Sequence, residues 1–174
     1  MTGAPGRRAA APPLIDIQIQ SPLWQAEPAA ERTLRAAVLA AATTASTAGD
    51  EVAILLTDDA AIRALNRQWR GIDKPTNVLS FPAALAPARM GASFFGDIAI
   101  AYETVKRECD DEERIFLHHL AHLAIHGFLH LVGYGHAADA EAEEMEGLES
   151  KIMSAMNLPD PWLGRHLGRE SGDA

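Results

Sequence analysis

Cysteine is almost absent from this sequence, because its 174 residues include only Cys109. One cysteine excludes an intramolecular disulfide and a zinc site built from several thiolates. Scarce cysteine is typical of a reducing compartment, so we expect a cytoplasmic location. No apolar run approaches the ~18 residues that a membrane-spanning helix needs, and the first residues lack the apolar segment of a signal peptide. We therefore expect neither a membrane span nor export.

Positive charge is scarce as well, with 15 lysines and arginines against 24 acidic residues and a net charge of −9. This balance argues against broad electrostatic binding to nucleic acid. The acids are clustered, however, with six of them and no base between residues 137 and 150. A separate short stretch, residues 63–74, has only one acid, Asp73, and four basic residues: Arg63, Arg67, Arg70 and Lys74. This stretch is either a solvated helix face or a small basic footprint for a polyanion.

Apolar residues still make up 48% of the chain and charged residues 22%, a composition typical of one globular domain. We predict a disordered N-terminal arm over residues 1–13, a single domain over 14–163 and a flexible tail over 164–174. Alternating or short apolar runs predict strands at 14–20, 52–56, 78–81 and around 97–100. Helical patterns fall at 27–48, from Asp58 or Asp59 to 69, from 103, from the acids at 110–113 to 131, and at 138–156. Interleaved strands and helices favour an α+β or α/β arrangement around a mixed sheet.

The helix predicted to end near residue 131 is apolar on all sides, which is typical of a central, buried helix. It carries His126 and His130, and His136 follows a glycine break at Gly133. Four residues turn a helix by about 400°, so His126 and His130 share one face. A left-handed turn at Gly133 can return His136 to that face. Three imidazoles around one ion leave a position open for water, which is typical of a catalytic zinc site.

Other interpretations of these histidines remain open. They could be buried groups satisfied by the core, and a shifted site using His122 and His126 is also geometrically allowed. We expect His122 to support the site or contact substrate, whereas His118 and His119 are expected to be ordinary surface or core residues. The spacing also matches metzincin proteases, but those enzymes place a glutamate base where this chain has Gly127. A three-histidine metal site without that base suits a substrate that carries its own negative charge, such as a phosphodiester. Arg70 is the candidate cation to bind the charged group.

Residues 126–136, HGFLHLVGYGH, resemble the H-G-x-L-H-L-x-G-Y-D-H signature of the YbeY family of bacterial rRNA-maturation endoribonucleases. Residues 65–82, LNRQWRGIDKPTNVLSFP, look like the second block of that family, and Gly96-Asp97-Ile98 looks like its third. Residues 141–149 are similar to its closing helix. The similarity runs in register over roughly residues 50–158.

This resemblance implies an α+β fold. We accordingly expect a mixed sheet of about four strands, packed with five or six helices around the buried histidine-bearing helix. It also implies one Zn²⁺ bound by His126, His130 and His136, and a role for Arg70 in RNA cleavage. The implied substrate is single-stranded RNA, cleaved in 16S rRNA 3′-end maturation and ribosome quality control. Small-subunit rRNA, the ribosome and ribosome-associated proteins are the expected partners, with Arg63, Arg67 and Lys74 steering the strand.

The chain departs from the family signature at Gly135, where the family has an aspartate. That aspartate could orient a ligand, and we hypothesise that Asp139 replaces it. Two alternative functions remain: a ribosome-assembly factor with a mainly structural metal, and a metzincin-like hydrolase.

Overall fold

The computed structural model describes residues 11–47, 51–83 and 94–163. Within these ranges the chain forms four strands: β1 (Leu14–Ile19), β2 (Glu51–Thr57), β3 (Val78–Pro82) and β4 (Phe94–Ala101). It also forms five α-helices: α1 (Ala30–Thr44), α2 (Asp59–Arg70), α3 (Tyr102–Asp111), α4 (Phe116–Leu131) and α5 (Asp139–Ala155). A short 3-10 helix, Pro22–Ala26, follows β1. The predicted α+β fold is confirmed.

The four strands form one mixed sheet in the order β1-β2-β4-β3. β1, β2 and β4 run parallel, and β3 pairs antiparallel with β4 at the edge. Successive side chains of a strand point to opposite faces. Ile98 and Ile100 accordingly belong to the larger core with α1 and α4, whereas Ala99 and Ala101 pack with Ile62 of α2. α4 and α2 therefore cover opposite faces of the sheet.

α4 is the central, buried helix that its sequence predicts. Ile125, Phe128 and Leu129 have no exposed surface, and the helix packs against α1, α3, α5 and the sheet. A helix surrounded in this way needs apolar residues on every side. Its C-terminal turn is the exception, because His126 and His130 there are only partly buried.

The start of α4 differs from the prediction. The acids at 110–113 do not open this helix: α3 extends through Asp111, and α4 begins at Phe116. Glu113 takes a positive φ of 52°, and the Arg114 amide donates to the Cys109 carbonyl at 2.9 Å. Acidic residues favour a helix N-terminus through the helix dipole, which is why the sequence suggested one there. α1 is also shorter than predicted, since it spans Ala30–Thr44.

Polar and backbone features define both ends of α2 and the loop that follows it. Asp58 caps the helix by accepting from the Ala61 amide at 2.9 Å, and Gly71 ends it with a φ of 71°. The buried Asn66 side chain then donates to the Lys74 carbonyl at 2.9 Å. Gly71 and the Asn66 hydrogen bond fix the path of the chain between α2 and β3.

The predicted arm and tail lie largely outside the described residues, which begin at 11 and end at 163. Residues 11–13 precede β1 without forming a helix or strand. Across the described ranges, no helix combines the length and apolar character that crossing a bilayer demands.

Candidate metal centre

Three histidines meet at the C-terminal end of α4. The Nε2 atom of His130 lies 3.1 Å from that of His126 and 2.9 Å from that of His136. One ligand atom from each residue falls within 4.8 Å of the other two. Among the described residues these form the one group of three or more histidine, cysteine or acidic side chains gathered in this way. The trio is the one that the sequence predicted.

The turn after α4 carries the third histidine back to the first two. Gly133 has a φ of 103°, a conformation that side chains disfavour. The Gly133 amide donates to the His130 carbonyl at 3.2 Å, and the Tyr134 amide donates to Leu129 at 3.0 Å. The reversal leaves His136 exposed beside the partly buried pair on the helix. The centre is therefore open to molecules from solvent.

Hydrogen bonds on the far side of two rings set their tautomers. His126 Nδ1 lies 2.7 Å from Glu149 Oε1, and His130 Nδ1 lies 2.9 Å from the Tyr134 carbonyl. Both partners are acceptors, so each Nδ1 carries the proton and each Nε2 presents a lone pair. Burial, followed by the neighbouring His126 and His136, lowers the pKa of His130 to about 4. His130 is accordingly neutral at neutral pH, which is the ligating form.

This donor set fits a transition-metal ion. The Nε2 lone pairs of His126 and His130 face each other and cannot form a hydrogen bond, so their separation of 3.1 Å suits a shared cation or proton. Tetrahedral ligands at ~2.1 Å from zinc stand about 3.4 Å apart, close to the separations around His130. His126, His130 and His136 could hold such an ion and leave its remaining position to solvent or substrate.

Glu149 of α5 is the residue that supports this centre from behind. Its carboxylate has no exposed surface and accepts from His126, from His122 Nε2 at 2.8 Å and from Trp162 Nε1 at 2.7 Å. Burial raises its pKa, but the hydrogen bonds and charges of His122 and His126 outweigh burial and lower the pKa to about 2. Glu149 therefore stays ionised and holds the His126 ring in place.

Sequence reasoning did not identify Glu149, because it lies among the acids of residues 137–150. A positional signal was present: Met145 and Ile152 lie four before and three after it, on the inner face of α5. His122 supports the site through Glu149, as one of the two roles expected for it, and lies outside the gathered trio.

The remaining histidines of α4 lie away from the centre. His119 is buried and its Nε2 lies 2.8 Å from Glu108, while His118 is partly exposed. Both match the ordinary surface or core residues expected there.

Gly127 explains why no glutamate base follows the first histidine. A Cβ on Gly127 would lie 3.1 Å from Ser80 Oγ and 3.2 Å from a methyl of Ile98. The Ser80 hydroxyl also donates to the Gly127 carbonyl at 3.0 Å. This position faces the sheet, so a side chain here would point into β3 and β4.

The basic residues of α2 lie on the other face of the sheet. Arg67 and Arg70 are exposed in the last turn of α2, and Lys74 is exposed in the following loop. Arg63 forms a two-point ion pair with Asp73, at 2.8 and 3.0 Å. None of the four contacts the three histidines, so their roles toward substrate stay predictions.

Gly135 stands where the family signature has an aspartate, and the carboxylate beside it is that of Glu141 and not of Asp139. A Cβ on Gly135 would lie 3.7 Å from Glu141 Oε2, the described group nearest to it. Glu141 is thus the carboxylate that the structure places beside this position, and the Asp139 hypothesis stays open.

Comparisons with known proteins agree with this site. The sequence model described as Endoribonuclease YbeY matches residues 17–157. The Endoribonuclease YbeY of Bradyrhizobium sp. strain BTAi1 is 52% identical over 159 residues, covering 88% of this chain and 94% of the relative. That of Rhodopseudomonas palustris strain BisB18 is 54% identical over 156 residues, covering 87% and 93%. From the match over most of its length, this chain belongs to the endoribonuclease YbeY family.

Proposed function

We propose that this protein is a zinc-dependent, single-strand-specific endoribonuclease that acts in 16S rRNA 3′-end maturation and ribosome quality control. The observation that carries the proposal is the meeting of the His126, His130 and His136 Nε2 atoms at one open point. The relatives that cover most of this chain are named endoribonucleases, which supports RNA as the substrate. Single-stranded RNA, small-subunit rRNA, the ribosome and ribosome-associated proteins are the proposed partners, and cytoplasm is the proposed compartment.

The metal site supplies the central chemistry. His126, His130 and His136 would hold a zinc ion, which would supply Lewis acidity toward a phosphodiester oxygen or a water molecule. Glu149 keeps the His126 ring oriented, and the Tyr134 carbonyl does the same for His130. Because both rings keep Nδ1 protonated, their Nε2 atoms are already in the form that binds a metal ion.

Arg70 is proposed to bind a phosphate of the substrate strand, on the face of the sheet opposite the three histidines. Its guanidinium is exposed, and no ion pair occupies it within the described ranges. A planar guanidinium can bind two phosphate oxygens at once. Arg67 and Lys74 would steer the strand, whereas Arg63 contributes less because Asp73 already neutralises it.

Cleavage of end-labelled single-stranded RNA tests this function. The purified protein is assayed as isolated, after chelation and after zinc is restored, with His130→Ala in parallel. His118→Ala is the matched control, since it alters a histidine of the same helix outside the centre. We expect the chelator and His130→Ala to abolish cleavage, zinc to restore it, and His118→Ala to retain it. A 2′,3′-cyclic phosphate on the product would identify the RNA 2′-hydroxyl as the nucleophile.

Other outcomes would select the alternatives. Cleavage that persists equally in His130→Ala would contradict a metal-dependent nuclease. A stable, metal-binding protein that cleaves no RNA but associates with ribosomes would be an assembly factor. Chelator-sensitive digestion of casein would indicate a hydrolase, although Gly127 stands where such enzymes have their glutamate base and a Cβ there would be tightly packed.

A further inference from the structure

A hollow of about 420 Å³ lies on the face of the sheet opposite α4. Its lining is mainly apolar and includes Leu55, Leu65, Trp69, Phe81, Asp97 and Ala99. None of the three histidines lines it, so it is separate from the metal centre. The hollow is therefore available for a role that the metal centre does not explain.

An aromatic wall is the main feature of the hollow. Trp69 is 59% exposed as a residue, and its ring centroid lies 6.0 Å from that of Phe81. Leaving so much of an indole in water forgoes the stabilisation that its burial would give. An accessible aromatic ring of this kind is the usual platform on which single-stranded nucleic acids stack a base.

Charge around the hollow favours a nucleotide over other ligands. Arg67 and Arg70 lie in the same last turn of α2 as Trp69, and both are exposed. Asp97, by contrast, lies within the lining. The mainly apolar interior thus disfavours an anion, and the exposed arginines in the same helix turn as Trp69 attract one. A nucleotide matches this pattern, with its neutral base inside and its phosphates at the guanidinium groups.

The edge strand β3 connects the hollow to the metal centre. Ser80 points to the α4 face, where its hydroxyl donates to the carbonyl of Gly127, the neighbour of His126. Phe81, the next residue, lines the hollow on the other face. Because β3 is the last strand of the sheet, a flexible strand of RNA can pass around it. A duplex is too stiff to make that turn over a few nucleotides.

We propose that the hollow is a nucleobase subsite, in which one base of a single-stranded RNA substrate stacks on Trp69 while the strand crosses β3 toward the metal centre. This inference rests on the proposed function, since it assigns a further part of the same substrate. It also supplies a physical reason for selecting single strands.

Binding of a labelled oligonucleotide tests the subsite. Fluorescence anisotropy is measured for the full chain and a single-stranded RNA of about eight nucleotides, with chelator present to prevent cleavage. We expect Trp69→Ala to weaken binding about ten-fold, and Trp69→Phe to retain most of the affinity because a ring remains. Gln68→Ala is the matched control, an exposed neighbour on α2 that is not part of the lining.

Abasic substitution tests the base itself. An abasic nucleotide is moved along the oligonucleotide, and we expect one position at which it weakens binding to the wild type. At that position it should have little further effect on Trp69→Ala, because the stacking partner is already lost. A blunt duplex of the same length should bind both proteins equally.

The outcomes separate the two proposals. If RNA is cleaved with the expected metal dependence but Trp69→Ala binds it as tightly as wild type, the subsite is wrong and the nuclease assignment stands. This result is also expected if the hollow is covered by another part of the chain or by a protein. If the wild type neither binds nor cleaves single-stranded RNA, both proposals fail.

Discussion

Glu149 is a carboxylate with no exposed surface that receives hydrogen bonds from two imidazoles and one indole. Burying an ionised carboxylate is costly unless several donors surround it. The donors here come from α4 and from Trp162 beyond α5, so one side chain joins two helices and the following segment. The same side chain fixes the tautomer of His126. Structure and chemistry at this centre therefore depend on one residue.

Glu149→Gln should weaken metal binding, because an amide accepts less strongly from His126 Nδ1 and can itself donate. Changes to groups that orient a metal ligand commonly cost about 10- to 100-fold in affinity. Competition with a chromophoric chelator measures that loss. Glu144→Gln, an exposed change on the same helix, is the control and should bind zinc as wild type does. Equal affinities for the two variants would refute the positioning role of Glu149.

Acid should destabilise the metal-free protein through the same group. The pKa of Glu149 is lowered from 4.5 to about 2, so folding favours its ionised form. The stabilisation, roughly 3 kcal/mol, is complete above pH 4.5 and is lost as pH falls toward 2. Urea unfolding at about pH 6 and about pH 3 should show a loss of roughly 2 kcal/mol from this group. Glu149→Gln, which cannot titrate there, should lose correspondingly less, and an identical loss in both proteins would contradict the assignment.

At the scale of elements, α4 packs closely against the sheet at Gly127, where no side chain separates the helix from the strands. The Gly127 Cα faces Ser80 and Ile98, and the Ser80 hydroxyl donates to its carbonyl. Close approach of helix and strand places the histidine turn beside the end of β3. The residue that a protease would use as a base is thus used here for packing.

Gly127→Glu should destabilise the fold and create no peptidase. Its Cβ would sit 3.1 to 3.3 Å from atoms of Ser80 and Ile98, and overpacking of this kind costs about 1–3 kcal/mol, more with a buried charge. Urea unfolding measures the change. Gly147→Glu in α5 is the matched control, because no atom lies within 4 Å of its Cβ. The control should be neutral or slightly stabilising, since Glu favours helix more than Gly does.

Local patterns in the sequence predict most elements and the metal trio, and they fail where distant residues decide the outcome. His126, His130 and Gly133 lie within one turn and its exit, so helix geometry alone brings the ligands together. The partner of His126, in contrast, comes from α5, 23 residues away. The acids at 110–113 suggested the start of a helix, but α3 continues through Asp111 and α4 begins only at Phe116. The two faces of the sheet, and hence the separation of Arg70 from the histidines, also depend on the strand order.

For the whole molecule, charge is divided between two regions. The acids of α5 are largely exposed, while the exposed bases at the end of α2 lie across the sheet from α4. A polyanion is therefore attracted to the end of α2 and repelled by the exposed acidic face of α5. The net charge of −9 conceals this asymmetry.

The salt dependence of RNA binding should reveal which basic side chains contact phosphate. Arg67→Gln should reduce the slope of log affinity against log salt by about 0.7, the value for one phosphate contact on a single strand. Arg63→Gln should change it less, because Asp73 already pairs with Arg63. Anisotropy titrations between about 50 and 200 mM salt give the slopes. Equal, unchanged slopes in both variants would remove the steering role.

The link between Glu149 and His126 also has a consequence for the order of events during folding. A partly folded chain can offer the His126 and His130 pair as soon as α4 forms, because those residues share one helix. Full support for the pair arrives only when α5 docks and brings Glu149 from 23 residues further along the chain. We therefore expect the fully folded protein to bind the metal tightly and the partly folded chain to bind it weakly. A nascent chain would acquire its ion late, after synthesis has passed α5.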